Sequence, residues 1–162
     1  KEIAALFKEY GLELVLRIKE QKLEIQKNID GIIYSYPYST IADTLQRIIF
    51  YLTAIESNHD SVLLFEEPEA HAFPPYTRML ADRIVHDEKN QYFITTHSPY
   101  LLYTVIENTP FEELGLFITY FENYETKVRA LSKEGLREVL DDSYNIDVFF
   151  NLDRFVTHEA QP

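Results

Sequence analysis

The chain of 162 residues is long enough for one domain with a real core, and 46% hydrophobic residues exclude a disordered polymer. A net charge of −12 excludes attraction of a phosphate backbone by bulk electrostatics, so direct DNA binding by this acidic segment is not expected. There is no cysteine for a disulfide framework and no apolar run near the ~20 residues of a membrane span, so a cytoplasmic location without a membrane partner is the expectation.

In chain order, residues 1–10 read as a short helix with Ile3, Leu6 and Phe7 on one face and Gly11 as its stop. Residues 12–18, 23–28 and 32–36 read as three strands, with turns near Glu20 and at Asp30-Gly31, and together predict a small antiparallel flap. After an irregular link, the spacing of Ile41, Leu45, Ile48, Ile49, Leu52 and Ile55 predicts a helix over 41–57, capped by Ser39 or Thr40. The apolar run 61–65 predicts a core strand covered on both faces. A proline-initiated helix over 75–87 turns Tyr76, Met79, Leu80 and Ile84 inward, and a second core strand follows at 91–95. Ser98 is the expected cap of a helix that starts at Pro99. Residues 115–121 and 127–131 read as strands, Ser132 as the cap of a helix over 133–140, and the apolar tail 146–156 as a docked helix. The alternation of strand and helix predicts a single α/β domain over 1–162 with a parallel core.

Chemistry concentrates in two stretches. SVLLFEEPEAH (61–71) ends an apolar strand in adjacent carboxylates, and QYFITTHSPYLL (91–102) ends the next strand in two threonines and a histidine. Ligands of open α/β sheets bind beyond the carboxyl ends of the strands. Successive side chains point to opposite sides, so Glu66 and Glu67 serve different ends: one holds a hydrated Mg²⁺ while the other faces a reacting phosphate. An acidic, solvated turn is the plain alternative. His97 precedes a helix start, a position that favours anions, and a structural histidine is the plain alternative there. From a different class, Glu67, Glu69, His71 and His97 also suit the Zn²⁺ or Mn²⁺ site of a metal-dependent hydrolase.

With these residues in view, SVLLFEEPEAH resembles the Walker B strand of the ABC-type ATPase superfamily, and FITTHSPYLL resembles its switch-histidine strand. The chain is most similar to bacterial ABC-like "AAA family" ATPases related to the ATPase half of OLD-type nucleases, and more distantly to SMC-type ATPases, over about 40–102. The resemblance implies a P-loop NTPase-type lobe that uses ATP and Mg²⁺. It implies Glu66 for organising Mg²⁺, Glu67 as the catalytic glutamate that polarises the attacking water, and His97 as the switch histidine on the γ-phosphate. It makes 70–74 a loop at a dimer interface.

The sequence departs from the family pattern in four places. Glu66 replaces an aspartate, and Phe73 stands where many relatives have a second histidine. The segment 38–47, at the place of the ABC signature, has no glycine; there Ser39 and Thr40 supply possible phosphate-contacting hydroxyls, and Thr44, Gln46 and Arg47 resemble the start of the signature helix. No G-x-x-x-x-G-K-[ST] loop exists, so the β-phosphate has neither its nest of N–H groups nor its lysine. The chain therefore reads as the C-terminal lobe of a longer ATPase, inactive alone. Its expected partners are the N-terminal lobe of the same ATPase, a second copy in an ATP-bound homodimer, and an effector nuclease or toxin. A decayed lobe acting only as an interaction module is the remaining alternative, and DNA processing or defence is the class of process the ATPase would drive.

Overall fold

The computed structural model describes residues 2–141 and Phe155. Helix α1 (Glu2–Lys8) leads into a three-stranded antiparallel flap of β1 (Glu13–Arg17), β2 (Lys22–Ile29) and β3 (Ile32–Pro37), in the order β1-β2-β3. Asp30 and Gly31, both at positive φ, close the β2–β3 hairpin in the manner of a type I′ turn, and the Asn28 side chain accepts the Gly31 N–H at 3.0 Å. A single 3₁₀ turn, Tyr38–Thr40, then delivers the chain to α2 (Asp43–Ser57).

The centre is a β-α-β unit. β4 (Val62–Glu66) and β5 (Gln91–Thr95) pair in parallel, connected through α3 (Pro74–Val85), and α4 (Pro99–Asn108) leaves β5 at its carboxyl end. An antiparallel hairpin, β6 (Phe117–Glu122) and β7 (Glu125–Ala130), and helix α5 (Lys133–Asp141) follow. β6 does not extend the parallel sheet, so the parallel core consists of two strands among the described residues.

Helix α2 serves two cores. Ile48, Tyr51, Leu52 and Ile55 pack with Phe65 of β4 and Leu80 and Ile84 of α3, while Ile49 on the adjoining side packs with Phe7 of α1 and Ile25 of the flap. Tyr51 meets Phe65 edge-on with ring centroids 4.9 Å apart, a geometry that aromatic quadrupoles favour. Ile106, Ile118, Val139 and Phe155 form a further cluster around α4, β6 and α5. Apart from Phe155, which is buried, the expected tail helix lies outside the described residues.

Two expectations need correction. Neither Ser39 nor Thr40 caps α2: Ala42 holds the N-cap position without a side-chain bond, because the 3₁₀ turn intervenes and Thr40 Oγ1 donates back to the Pro37 carbonyl at 2.7 Å. Ser98 does occupy the N-cap of α4, yet its hydroxyl makes no capping bond. The strand 61–65 is also not covered on both faces. Leu63 and Phe65 face α2 and α3, but Val62, Leu64 and, on β5, Phe93 are 57%, 75% and 54% exposed. One whole face of the parallel sheet is bare. Ser132, by contrast, caps α5 as expected, accepting the Gly135 N–H at 3.1 Å.

The amino ends of β4 and β5 are locked by a polar knot. Asn90 accepts the Ser61 N–H at 3.2 Å and donates to the Asn58 carbonyl at 3.0 Å and to Asp87 Oδ2 at 2.7 Å, and the Tyr92 hydroxyl donates to the same Asp87 oxygen. Burial works against the Asp87 charge, but the Tyr92 hydroxyl, the Asn90 amide and the Lys89 N–H outweigh it and hold the carboxyl below its ordinary range. Burial, and then the same carboxylate, push the Tyr92 phenol up. A carboxylate held low in the folded state stabilises the fold above its ordinary pKa, and that contribution is lost as pH falls through the folded value. Asp87→Asn is expected to cost about 1.5–3 kcal/mol at pH 7, the range for a hydrogen bond to a charged group. The gap from wild type should close as pH falls below about 4, where the unfolded carboxylate protonates. Urea unfolding of both proteins at pH 7 and pH 3 measures it, and a pH-independent gap would assign the knot no ionic character.

Candidate active site

The parallel ladder runs Val62 opposite Gln91 through Glu66 opposite Thr95, and the Glu67 N–H extends it by bonding the Thr95 carbonyl at 2.9 Å. Both strands therefore end on one edge of the sheet. Glu66 stays on the bare face with Val62 and Leu64, while Glu67 lies past the strand at φ 40°. The chain then folds through two successive turns, closed by the Ala70 N–H on the Glu67 carbonyl and the Ala72 N–H on the Glu69 carbonyl, both at 2.9 Å. Pro68 suits the second position of the first turn, and His71, at φ 60°, takes the left-handed third position of the next. Left-handed non-glycine residues are uncommon, and each stores about 1–3 kcal/mol of strain.

Glu67 and His97 face each other. Glu67 Oε1 lies 3.4 Å from His97 Nδ1, with the side chains 50% and 70% exposed. A pair this open contributes roughly 0–1 kcal/mol to stability, so it does not hold itself in place. The holding comes from Glu69, which is buried. Its Oε1 accepts the Thr96 hydroxyl at 2.5 Å and the His97 N–H at 3.0 Å, and Thr96 Oγ1 in turn accepts the Ser98 N–H at 3.0 Å. Bonds to an ionised acceptor contribute about 1.5–3 kcal/mol each. Glu69 Oε2 is buried with no hydrogen-bond partner.

Helix α2 braces the same turn from the other side. Thr44 Oγ1 donates to the His71 carbonyl at 2.7 Å, and the Arg47 guanidinium reaches the Glu67 carbonyl at 3.5 Å. Ser39 and Thr40 are exposed on the 3₁₀ turn ahead of the helix, and Asp43 puts a negative charge in its first turn, where the helix dipole favours it. Of the residues singled out in the sequence, the fold thus brings together Glu67 and His97 directly, and Thr44 and Arg47 through carbonyls of the acidic turn. It does not converge Glu67, Glu69, His71 and His97 on one ion: Glu69 is committed to the Thr96-His97 backbone, and no three such side chains cluster at metal-binding distance among the described residues. The clamp formed by Glu69 and Thr96 was missed in the sequence, because the two residues lie 27 positions apart and neither marks the other as its partner.

Residues 41–102 match the model of the AAA ATPase domain. No curated protein matches the chain. Among solved structures, an SMC ATPase studied for ATP-driven dimerization and DNA-stimulated activation superimposes with a TM-score of 0.55 at 15% identity, covering 88% of this chain and 89% of that one. The Smc head domain of Pyrococcus yayanosii, with its coiled coil and joint, gives 0.54 at 17% identity, and that of Pyrococcus furiosus, bound to the C-terminal domain of ScpA, gives 0.52 at 16%. Each covers 88% of this chain, which spans 28% and 37% of those two longer chains. Residues 41–102 are therefore similar to the AAA ATPase domain, and the chain as a whole shares the α/β fold of SMC ATPase heads.

Proposed function

We propose that this lobe supplies the water-activating and phosphate-sensing half of an ATP-hydrolysing site, completed by a second lobe that carries the phosphate-binding loop. The observation that carries the reading is the meeting of Glu67 and His97, 3.4 Å apart at the shared carboxyl edge of β4 and β5. A half-exposed carboxylate at such an edge can accept a proton from water and orient its lone pair for in-line attack on a terminal phosphate. With Nδ1 turned toward Glu67, the His97 ring directs its other nitrogen away from the carboxylate, where the imidazolium form, in which both nitrogens donate, can give a hydrogen bond to a γ-phosphate oxygen. When the phosphate leaves, His97 loses that acceptor, which suits a sensor.

Glu66 is exposed at the end of β4, on the bare face. A carboxylate beside substrate phosphates is the hard oxygen donor that Mg²⁺ uses, so the donor set fits, and Glu66 would hold the ion directly or through its waters. Mg²⁺ bound there neutralises phosphate charge. Among the signature-like residues, Ser39 and Thr40 are exposed and would be the hydroxyls to meet a partner's nucleotide, while Thr44 and Arg47 also brace the acidic turn. The bare face of Val62, Leu64 and Phe93 supports the two-lobe reading, since parallel sheets are covered on both sides. The working unit is then an ATP-dependent dimer. Because the SMC relative is described as dimerising on ATP and activated by DNA, a DNA-related or defence process, with an effector nuclease or toxin as partner, is the class of work proposed; the acidic surface leaves DNA contact to other segments.

Two measurements test this. Glu67→Gln keeps size and hydrogen bonding but removes the base. In the assembled ATPase it should slow turnover on the order of 100-fold or more, with ATP affinity held and the ATP-bound dimer accumulating. Near-normal turnover would move the water to another residue. The lobe by itself should bind Mg-ATP weakly, with a Kd of about 1 mM or worse, since the phosphate cradle belongs to the other lobe. Calorimetry giving a low-micromolar Kd would reveal a phosphate site within this chain and defeat the two-lobe reading.

A further inference from the structure

We infer that Glu69 is the positioning residue for His97: its buried carboxylate bolts the Thr96-His97 backbone to the acidic turn and so sets where the histidine ring meets Glu67. The catalytic consequence rests on the ATPase reading, whereas the geometry stands without it. Glu69 is 9% exposed, in contrast to its half-exposed neighbour Glu67, and its Oε1 is aimed at a backbone N–H and a hydroxyl rather than at the open edge. The direction of the network is forced. An ionised carboxylate only accepts, and the Ser98 N–H only donates, so the single Thr96 hydroxyl proton goes to Glu69 and its lone pair takes Ser98. One oxygen atom thereby fixes three consecutive residues, Thr96 to Ser98, including the entry into α4. The His97 ring is mostly exposed and meets Glu67 as its polar partner, so its backbone anchor decides its place.

The second oxygen separates this role from direct chemistry. Oε2 is buried and makes no hydrogen bond, so both bonds fall on the single oxygen Oε1. A glutamine can place its carbonyl oxygen at Oε1 and its amide at the position of Oε2. A general base or a metal ligand at this residue would require the carboxylate itself.

The experiment compares Glu69→Gln, Glu69→Ala and wild type in two ways. In the assembled ATPase, kcat and KM for ATP are measured. On this chain, hydrogen exchange is followed at the His97 and Ser98 amides. Glu69→Gln should keep turnover within about threefold of wild type and leave both amides protected. Glu69→Ala should lower kcat roughly 10- to 100-fold, with KM moving about twofold or less, since a misplaced group costs that much without loss of binding. It should also speed exchange at the His97 amide by about tenfold or more, because its acceptor is lost, and at the Ser98 amide by less, because Thr96 Oγ1 stays but is no longer held by Glu69. Loss of turnover in Glu69→Gln with both amides still protected would overturn the proposal in favour of a charged catalytic role. Unchanged amide protection in Glu69→Ala would overturn the clamp itself. An inactive wild-type assembly would sink the ATPase reading while the exchange data still decide the clamp. If Glu69→Ala does not fold, Glu69→Leu, which keeps bulk but offers no acceptor, takes its place, and unchanged His97 amide protection there overturns the proposal.

Discussion

Everything at the site depends on the parallel pairing of β4 with β5. Parallel strands end together, and this register puts Glu66 opposite Thr95 and lets the Glu67 N–H take the Thr95 carbonyl, so the two chains diverge from adjacent points. A slip of one residue would turn Phe65 out of the core and Leu64 into it. The edge-on packing of Phe65 against Tyr51, with ring centroids 4.9 Å apart, resists that slip from one side. At the far end, Asn90 joins Ser61 to Asn58 and Asp87, and the Asp60 N–H takes the Lys89 carbonyl at 2.9 Å. The reactive edge is thus set by polar bonds a full strand length away.

The turn beyond β4 is strained, and the fold offsets the strain locally. Glu67 and His71 both sit at positive φ, where a glycine would be at ease. Pro68 is fully buried between them, Glu69 is fastened to the β5–α4 loop, and α2 holds the Glu67 and His71 carbonyls through Arg47 and Thr44. Strained backbone persists only where its surroundings over-determine it. Here the β5–α4 loop and α2 converge on five residues, which is the pattern expected of a turn whose side-chain direction matters.

Much of this was legible in the sequence because it follows from local rules. The flap strands, the face of α2, the strand at Gln91–Thr95, the start of α4 at Pro99 and the Ser132 cap all arise from periodicity and turn chemistry that neighbouring residues determine. The meeting of Glu67 and His97 was also readable, since two strands joined by one helix must pair in parallel and end on the same edge. What was not legible depends on partners distant in sequence. Glu69 and Thr96 are 27 residues apart, and nothing local marks either as the other's partner. Thr44 read as a nucleotide contact by resemblance, yet its hydroxyl finds a carbonyl 27 residues on. The α2 cap failed for a subtler reason: Ser39 and Thr40 were correct residue types, but the 3₁₀ turn holds them three and two residues ahead of the N-cap at Ala42.

The bare sheet face shows the opposite case, where the sequence speaks of more than the described structure contains. An apolar run such as Val62–Phe65 is what a strand needs when covered on both sides, and α2 and α3 cover one. Leu64 is as apolar as Phe65 although the fold leaves it 75% exposed. Glu66 shares that face, so whatever layer covers Leu64 and Phe93 also approaches the acid assigned to Mg²⁺. Burial and catalysis would then be completed by the same event. Glu67 and His97 are solvated, while the buried Glu69 fixes the backbone from which His97 meets Glu67. The division is physically economical: the buried carboxylate is committed to geometry, and the exposed one stays free for chemistry.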